Sequence, residues 1–289
     1  MGLLQILAIA ALTCLGSGYA DDVFVTCEVT GDASNSGIYS APADTLAFGK
    51  ACEVAADSPM AVDDSGTYAY IYKSDNNAIL KCDFSSSTTS TVTTVNNAAG
   101  VLALDGNTLY YFGTAGGMYS VDLSTGSEET VDSSLPVVRE ASIVGSIIYM
   151  VMGIGNEAND IRSYNLDTEA TATLVTSAMT PHGMVVDTSG SDNVLYYGSA
   201  SNDKSLWKIT SLNLATSAEG VLVQYSGPVP TAIALYNGGL MYTRNQKVYK
   251  VPKTGDDPQP YTVGRGWGGG TGLKDCDNIY DVAVDNAAA

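Results

Sequence analysis

Apolar residues in this chain come in short bursts of four to eight, separated by turn residues. Six bursts share one order of apolar, aromatic, polar, apolar and polar positions: "GIYSAPAD", "AILKCDFS", "GMYSVDLSTG", "DIRSYNLDT", "SLWKITSLN" and "KVYKVPKTGD". Their first apolar residues are Ile38, Ile79, Met118, Ile161, Leu206 and Val248, so the steps between them are 41, 39, 43, 45 and 42 residues. A second apolar segment precedes each one, among them "TYAYIYKSD", "NTLYYFGTA" and "NVLYYGSAS". Before that lies a third, as in "MAVDDSG", "VLALDGN", "EASIVGS", "MVVDTSG" and "AIALYNG". A fourth, rich in Thr and Val, follows, as in "STVTTVNN" and "ATLVTSA". Short runs rich in Val, Ile, Tyr and Thr, split by Gly, Asn, Asp and Ser, are strands joined in hairpins. Four strands in about forty residues make a β-propeller blade.

The count predicts an all-β, six-bladed propeller of four-stranded blades. The first unit opens directly on its second strand, "DDVFVTCEV", and lacks an inner one. The missing strand is expected at the other end, in "DNIYDVAVDN", Asp277 to Asn286. The C-terminal strand would then complete the first blade and remove a free sheet edge.

The segments "MAVDDSGTYAYIYKSDNNAILKCDF" and "VLALDGNTLYYFGTAGGMYSVDLSTG" resemble the repeats of six-bladed propellers of the LDL-receptor class B (YWTD) and NHL type. The resemblance lies in the repeat and extends over almost the whole chain after residue 20; no unit contains YWTD itself. It implies protein or ligand binding at the propeller faces. Related six-bladed propellers include calcium-dependent lactonases and esterases, so fold alone does not fix function.

The first twenty residues, "MGLLQILAIAALTCLGSGYA", read as a secretory signal peptide cleaved after Ala20, although no Lys or Arg precedes the apolar run. Residues 21–289 then form the single propeller, secreted to the extracellular space, with no later stretch able to span a bilayer. Export makes the four remaining cysteines, Cys27, Cys52, Cys82 and Cys276, candidates for two disulfides with three possible connectivities. By position in the blades, Cys27 with Cys276 would fasten the closing blade, and Cys52 with Cys82 would join blades one and two. There is no C-x-x-C pair to suggest zinc and no N-x-S/T sequon.

Charge narrows the partners. The chain of 289 residues carries 31 acidic against 13 basic side chains, a formal net charge of −18. That disfavours nucleic acid and anionic membranes, and suits cations, mineral surfaces, or a basic extracellular protein or small ligand. Asp63, Asp105, Asp187 and Asp285 each end an innermost strand, and a ring of carboxylates there would take Ca²⁺ as its cofactor. The competing reading is local, because "DDSG", "DGN", "DTSG" and "DN" are turn sequences in which Asp caps its own backbone.

His182, in "PHGMVVD", is the one histidine, hence the one candidate catalytic base. Set beside "SPMAVDD" and "VPTAIALYN", it is expected in the turn before an inner strand. No G-x-S-x-G elbow accompanies it. "GRGWGGGTG", Gly264 to Gly272, matches G-x-G-x-x-G but is followed by a strand, so it reads as a crossover whose Arg265 and Trp267 offer a binding surface. Tyr70, Tyr111, Tyr149, Tyr197 and Tyr242 recur in second strands and are expected to pack between blades with their hydroxyls on backbone partners.

The expectation from sequence is a secreted, non-enzymatic binding or matrix module. Its alternative is a Ca²⁺-dependent hydrolase, lactonase or lyase with its site at the channel mouth.

Overall fold

The computed structural model describes residues 12–14, 22–28, 37–42, 49–54, 59–63, 65–153, 158–179, 181–201, 205–226, 232–236, 239–244, 247–253, 261–263 and 278–287. The strands fall into six sheets. Sheet 1 contains β1 (Leu12–Cys14), β2 (Asp22–Glu28), β3 (Gly37–Pro42) and β4 (Gly49–Glu53). Sheet 2 runs β5 (Met60–Val62), β6 (Tyr68–Lys73), β7 (Ala78–Asp83) and β8 (Thr88–Thr94). Sheet 3 runs β9 (Ala99–Asp105), β10 (Thr108–Gly113), β11 (Met118–Asp122) and β12 (Glu128–Asp132). Sheet 4 runs β13 (Val138–Val144), β14 (Ile147–Met152), β15 (Ala158–Asn165) and β16 (Thr171–Met179). Sheet 5 runs β17 (His182–Asp187), β18 (Val194–Ala200), β19 (Leu206–Asn213) and β20 (Glu219–Ser226). Sheet 6 runs β21 (Ala232–Tyr236), β22 (Gly239–Arg244), β23 (Lys247–Pro252) and β24 (Tyr261–Val263). The last strand, β25 (Asn278–Ala287), returns to sheet 1, whose order is β1-β25-β2-β3-β4.

Sheets 2 to 6 are the four-stranded blades of a β-propeller, each an antiparallel meander. The turns follow from local chemistry. Gly106 and Gly145 sit at φ +54° and +55° in the tight hairpins after β9 and β13, where only glycine enters without strain. In sheet 1, β25 lies antiparallel to β2 with Val25 opposite Val282, and parallel to β1.

Packing explains why the second strands read as continuous apolar runs. Sheets 2 to 5 are buried on both faces. Ile148, Met150 and Met152 of β14 face sheet 3 and pack with Val101, Phe112 and Met118. The alternating Tyr149 and Val151 face sheet 5 and meet Met184 and Leu195. The same division recurs between sheets 1 and 2, 2 and 3, and 5 and 6. Each large side chain so buried contributes about 1.5–3 kcal/mol. Inner strands touch their neighbours in order: β5 with β9, β9 with β13, β13 with β17, β17 with β21, and β21 with β25.

Cys52 of β4 and Cys82 of β7 form a disulfide, fully buried among Phe24, Ile38 and Met60, and it joins sheets 1 and 2 as expected. Cys276 lies outside the described residues. Of Cys27 only the backbone, in β2, is described.

The recurrent tyrosines are buried between blades, but not at one repeated position. Tyr70 and Tyr149 face the following sheet, whereas Tyr111, Tyr197 and Tyr242 face the preceding one. Two hydroxyls depart from the expected backbone partners. Tyr111 donates to Glu128 at the start of β12, and Tyr197 donates to Glu219 Oε1 at the start of β20, at 3.0 Å. A carboxylate on the outer strand thus reaches over the third strand to a buried phenol. Burial first, then the carboxylate, pushes both phenols well above their ordinary value.

Candidate functional site

Four antiparallel strands return the chain to the end where the inner strand began. All inner strands therefore start at one mouth of the channel and finish at the other. His182 opens β17, and Asp187 closes it. Five residue steps at about 3.4 Å separate them by roughly 17 Å. The histidine and the aspartates of the expected ring consequently stand at opposite mouths.

At the finishing mouth the aspartates are engaged locally. Asp63 Oδ1 accepts the Thr67 and Tyr68 amides at 2.8 and 2.7 Å, and its Oδ2 accepts the Ser65 hydroxyl at 2.5 Å. Asp187 Oδ1 accepts the Ser189 amide at 3.0 Å and the hydroxyl at 2.7 Å. Its Oδ2 pairs with Lys253 Nζ at 2.7 Å, a link from sheet 5 to sheet 6. Burial opposes ionisation of Asp187, but the Lys253 ammonium and Ser189 outweigh it and hold the carboxyl below its ordinary value. Asp105 is exposed at the end of β9. The backbone of Asp285 lies in β25 opposite Leu12. Among the described residues, no three His, Cys, Asp or Glu side chains gather closely enough to hold a metal ion. The same Asp-x-Ser cap recurs at Asp83, Asp122 and Asp132, away from the channel. Arg265 and Trp267 lie outside the described residues.

The starting mouth holds a group the sequence did not single out. β13 bulges between Val138 and Glu140, and β17 bulges between His182 and Met184. These adjacent irregularities bring Glu140 and His182 each within electrostatic reach of Arg139. Glu140 accepts the Gly183 amide. It is half-buried, and burial pushes its carboxyl up to about 7, against the pull of Gly183 and Arg139. Burial, then the Arg139 charge, pushes His182 down to about 4, so its imidazole is neutral near pH 7. His182 is half-buried and belongs to the inner strand, not to the turn where it was expected. Gly183 makes the bulge possible: its φ is +63°, and a Cβ there would lie 2.9 Å from the Ala232 and Ile233 backbone. The available sequence signal was the charged pair in "VVREASIV", two ionisable residues inside an otherwise apolar inner strand.

The Glu140 carboxyl, held near neutrality on the amide that follows His182, can accept or donate a proton. Among the described residues, the finishing mouth offers the capped turn carboxylates of Asp63 and Asp187 and the ion pair of Asp187 with Lys253.

No protein-family model and no curated protein matches the chain. Solved structures do. A chain from the "Crystal structure of Nidogen/Laminin Complex" superposes with a TM-score of 0.72 at 14% identity, covering 93% of this chain and 100% of that one. TolB from Acinetobacter baumannii matches with a TM-score of 0.69 at 12% identity, over 92% of this chain and 66% of that one. Hydrazine synthase of Kuenenia stuttgartiensis matches with a TM-score of 0.57 at 11% identity, over 74% and 69%. At these identities the likeness establishes the fold.

Proposed function

We propose that this chain is a secreted extracellular propeller of six blades that binds a basic protein surface and performs no chemistry of its own. In this reading, sheet 1 is the sixth blade, β25 is its inner strand, and cleavage after Ala20 removes β1. The carrying observation is the placement of charge. Among the residues whose side chains are described, Glu53, Asp75, Asp105, Glu129, Asp167 and Glu219 stand out into solvent, whereas every Lys and Arg except Lys50 is half-buried. Lys50 faces Glu53 at 3.7 Å, Lys73 faces Asp75 at 3.9 Å, and Arg162 faces Asp160 at 2.8 Å. These three cations, like Lys253 on Asp187, are matched by the chain's own carboxylates, and the whole chain keeps a surplus of −18 for a partner. The likeness to a chain crystallised in a nidogen–laminin complex supports a protein as that partner.

The test is expression with the native N-terminus in a secreting cell line, followed by binding to purified basement-membrane proteins, laminin among them. The expected result is a secreted chain beginning at Asp21 that binds at least one basic member saturably. Retention in the cell, or no binding by any member at micromolar concentration, overturns the reading.

One observation favours the second reading, a hydrolase, lactonase or lyase: the near-neutral carboxyl of Glu140 held on the amide of Gly183, the residue after His182. In its Ca²⁺-dependent form that reading also requires a metal. A calorimetric titration without Ca²⁺ heat removes that form, together with a calcium-dependent matrix role.

A further inference from the structure

Sheet 2 ends in a run of hydroxyl side chains, Ser85 to Thr94, interrupted only by Val92. The first three residues form the turn after β7, and the rest is β8, the outermost strand of the sheet. Ser85, Ser86, Ser87, Thr88, Thr89, Ser90 and Thr91 are all exposed. An outer strand presents unpaired amides and carbonyls, and an uncharged, β-branched edge recruits a strand from another molecule. On β12 of sheet 3 an exposed carboxylate, Glu129, stands at the same place, whereas Glu128 and Glu219 are bonded to Tyr111 and Tyr197 and β16 of sheet 4 is uncharged like β8. β8 has no charge and no proline.

The hydroxyls at the start of the run are engaged. Ser85 Oγ donates to Asp83 Oδ1 at 2.6 Å, and the Ser86 and Thr88 hydroxyls share a hydrogen bond of 2.7 Å. Those of Thr89, Ser90 and Thr91 have no such partner among the described residues. They project from extended backbone whose inner side is locked to Cys82, Lys81 and Leu80 of β7. The chain lacks an N-x-S/T sequon, so a sugar covering this edge would have to be joined through oxygen.

We propose that Thr89, Ser90 and Thr91 are attachment sites for short O-linked sugars that cover the outer edge of sheet 2, an inference resting on the secretion reading above. In the transfer, the hydroxyl oxygen attacks the anomeric carbon of a nucleotide-activated sugar. The bond from that carbon to the phosphate oxygen breaks, the nucleoside diphosphate leaves, and the hydroxyl proton passes to the transferase or solvent. Exposed Ser and Thr hydroxyls are the acceptors this chemistry uses, and the bulky hydrophilic product would shield an edge that carries no charge of its own.

The experiment uses the full chain secreted from an animal cell line, with intact mass and electron-transfer peptide mapping of residues 85–94. The expected result is hexosamine-containing mass increments localised to Thr89, Ser90 or Thr91. A chain that is secreted and begins at Asp21, yet is unmodified across this peptide, overturns the proposal and leaves secretion standing. A chain retained in the cell overturns both. Enzymatic removal of the sugars should raise the associated fraction several-fold in sedimentation velocity, and Thr91→Lys should reverse that rise. Deglycosylated protein as monodisperse as the native form would overturn the covering role.

Discussion

Removing the bridge between Cys52 and Cys82 should weaken the whole ring measurably. The two residues are 30 apart in sequence and join sheets 1 and 2. In the chain-entropy treatment, a loop of that size lowers the entropy of the unfolded ensemble by about 12 cal/mol/K, or about 3.6 kcal/mol at 25 °C. Both sulfurs lie in an apolar cluster with Phe24, Ile38, Val62 and Ile71, so Cys52→Ala with Cys82→Ala leaves a site apolar side chains tolerate. For a chain of this size each kcal/mol moves Tm by about 2–4 °C, and the double variant should melt about 7–14 °C lower by circular dichroism. The residues are 1% and 0% exposed, so millimolar dithiothreitol should leave the native protein intact for hours and reduce it promptly in guanidinium. A Tm within 2 °C of the parent would refute the reasoning, since the link would then not restrain the unfolded chain. Rapid reduction of the native form would refute the burial.

Four further substitutions probe the two ends of the inner strands. Gly183→Ala forces a side chain into φ +63° and against the sheet 6 backbone, and should cost about 1–3 kcal/mol, whereas Gly106→Ala, at φ +54° in open space, should cost about 1 kcal/mol. Equal losses on urea denaturation would contradict the close approach. Lys253→Met strips Asp187 of its ammonium and should cost about 1–3 kcal/mol at pH 7. Asp187 titrates below its ordinary value, so its ionised form stabilises the fold at neutral pH, and that contribution fades as pH falls through the folded value. The gap between parent and variant should accordingly narrow in acid. Glu140 behaves oppositely: its raised value means the folded state binds more protons, so stability falls as pH rises from 4.5 to about 7. Glu140→Gln should thus raise Tm at pH 8 and change little at pH 4, and a pH-independent effect would show that the carboxyl is not held near neutrality.

The repeat was legible because the blades from sheet 2 to sheet 5 bury both faces. Runs such as "SIIYMVMGI" appear as uninterrupted apolar stretches, with Ile148 and Met150 serving one interface and Tyr149 and Val151 the other. Turn chemistry was legible too, since the caps at Asp63 and Asp187 depend only on residues two to five positions away. Contacts set by bulges and by neighbouring blades were not. A shift of one residue at Arg139 and at Gly183 decides that Glu140 meets the Gly183 amide, and no local pattern encodes it. The pairing of Tyr197 with Glu219 spans 22 residues and a whole intervening strand. The disulfide was reachable because the blade count places Cys52 and Cys82 in adjoining sheets.

Surface plasmon resonance of the secreted chain over immobilised laminin and other purified basement-membrane proteins, repeated across a salt series with and without chelator, tests the central claim most directly. An acidic propeller that docks on a basic protein should bind saturably, lose affinity steeply between 50 and 500 mM salt, and keep it in chelator. Absence of binding throughout, or binding indifferent to salt, would contradict the account.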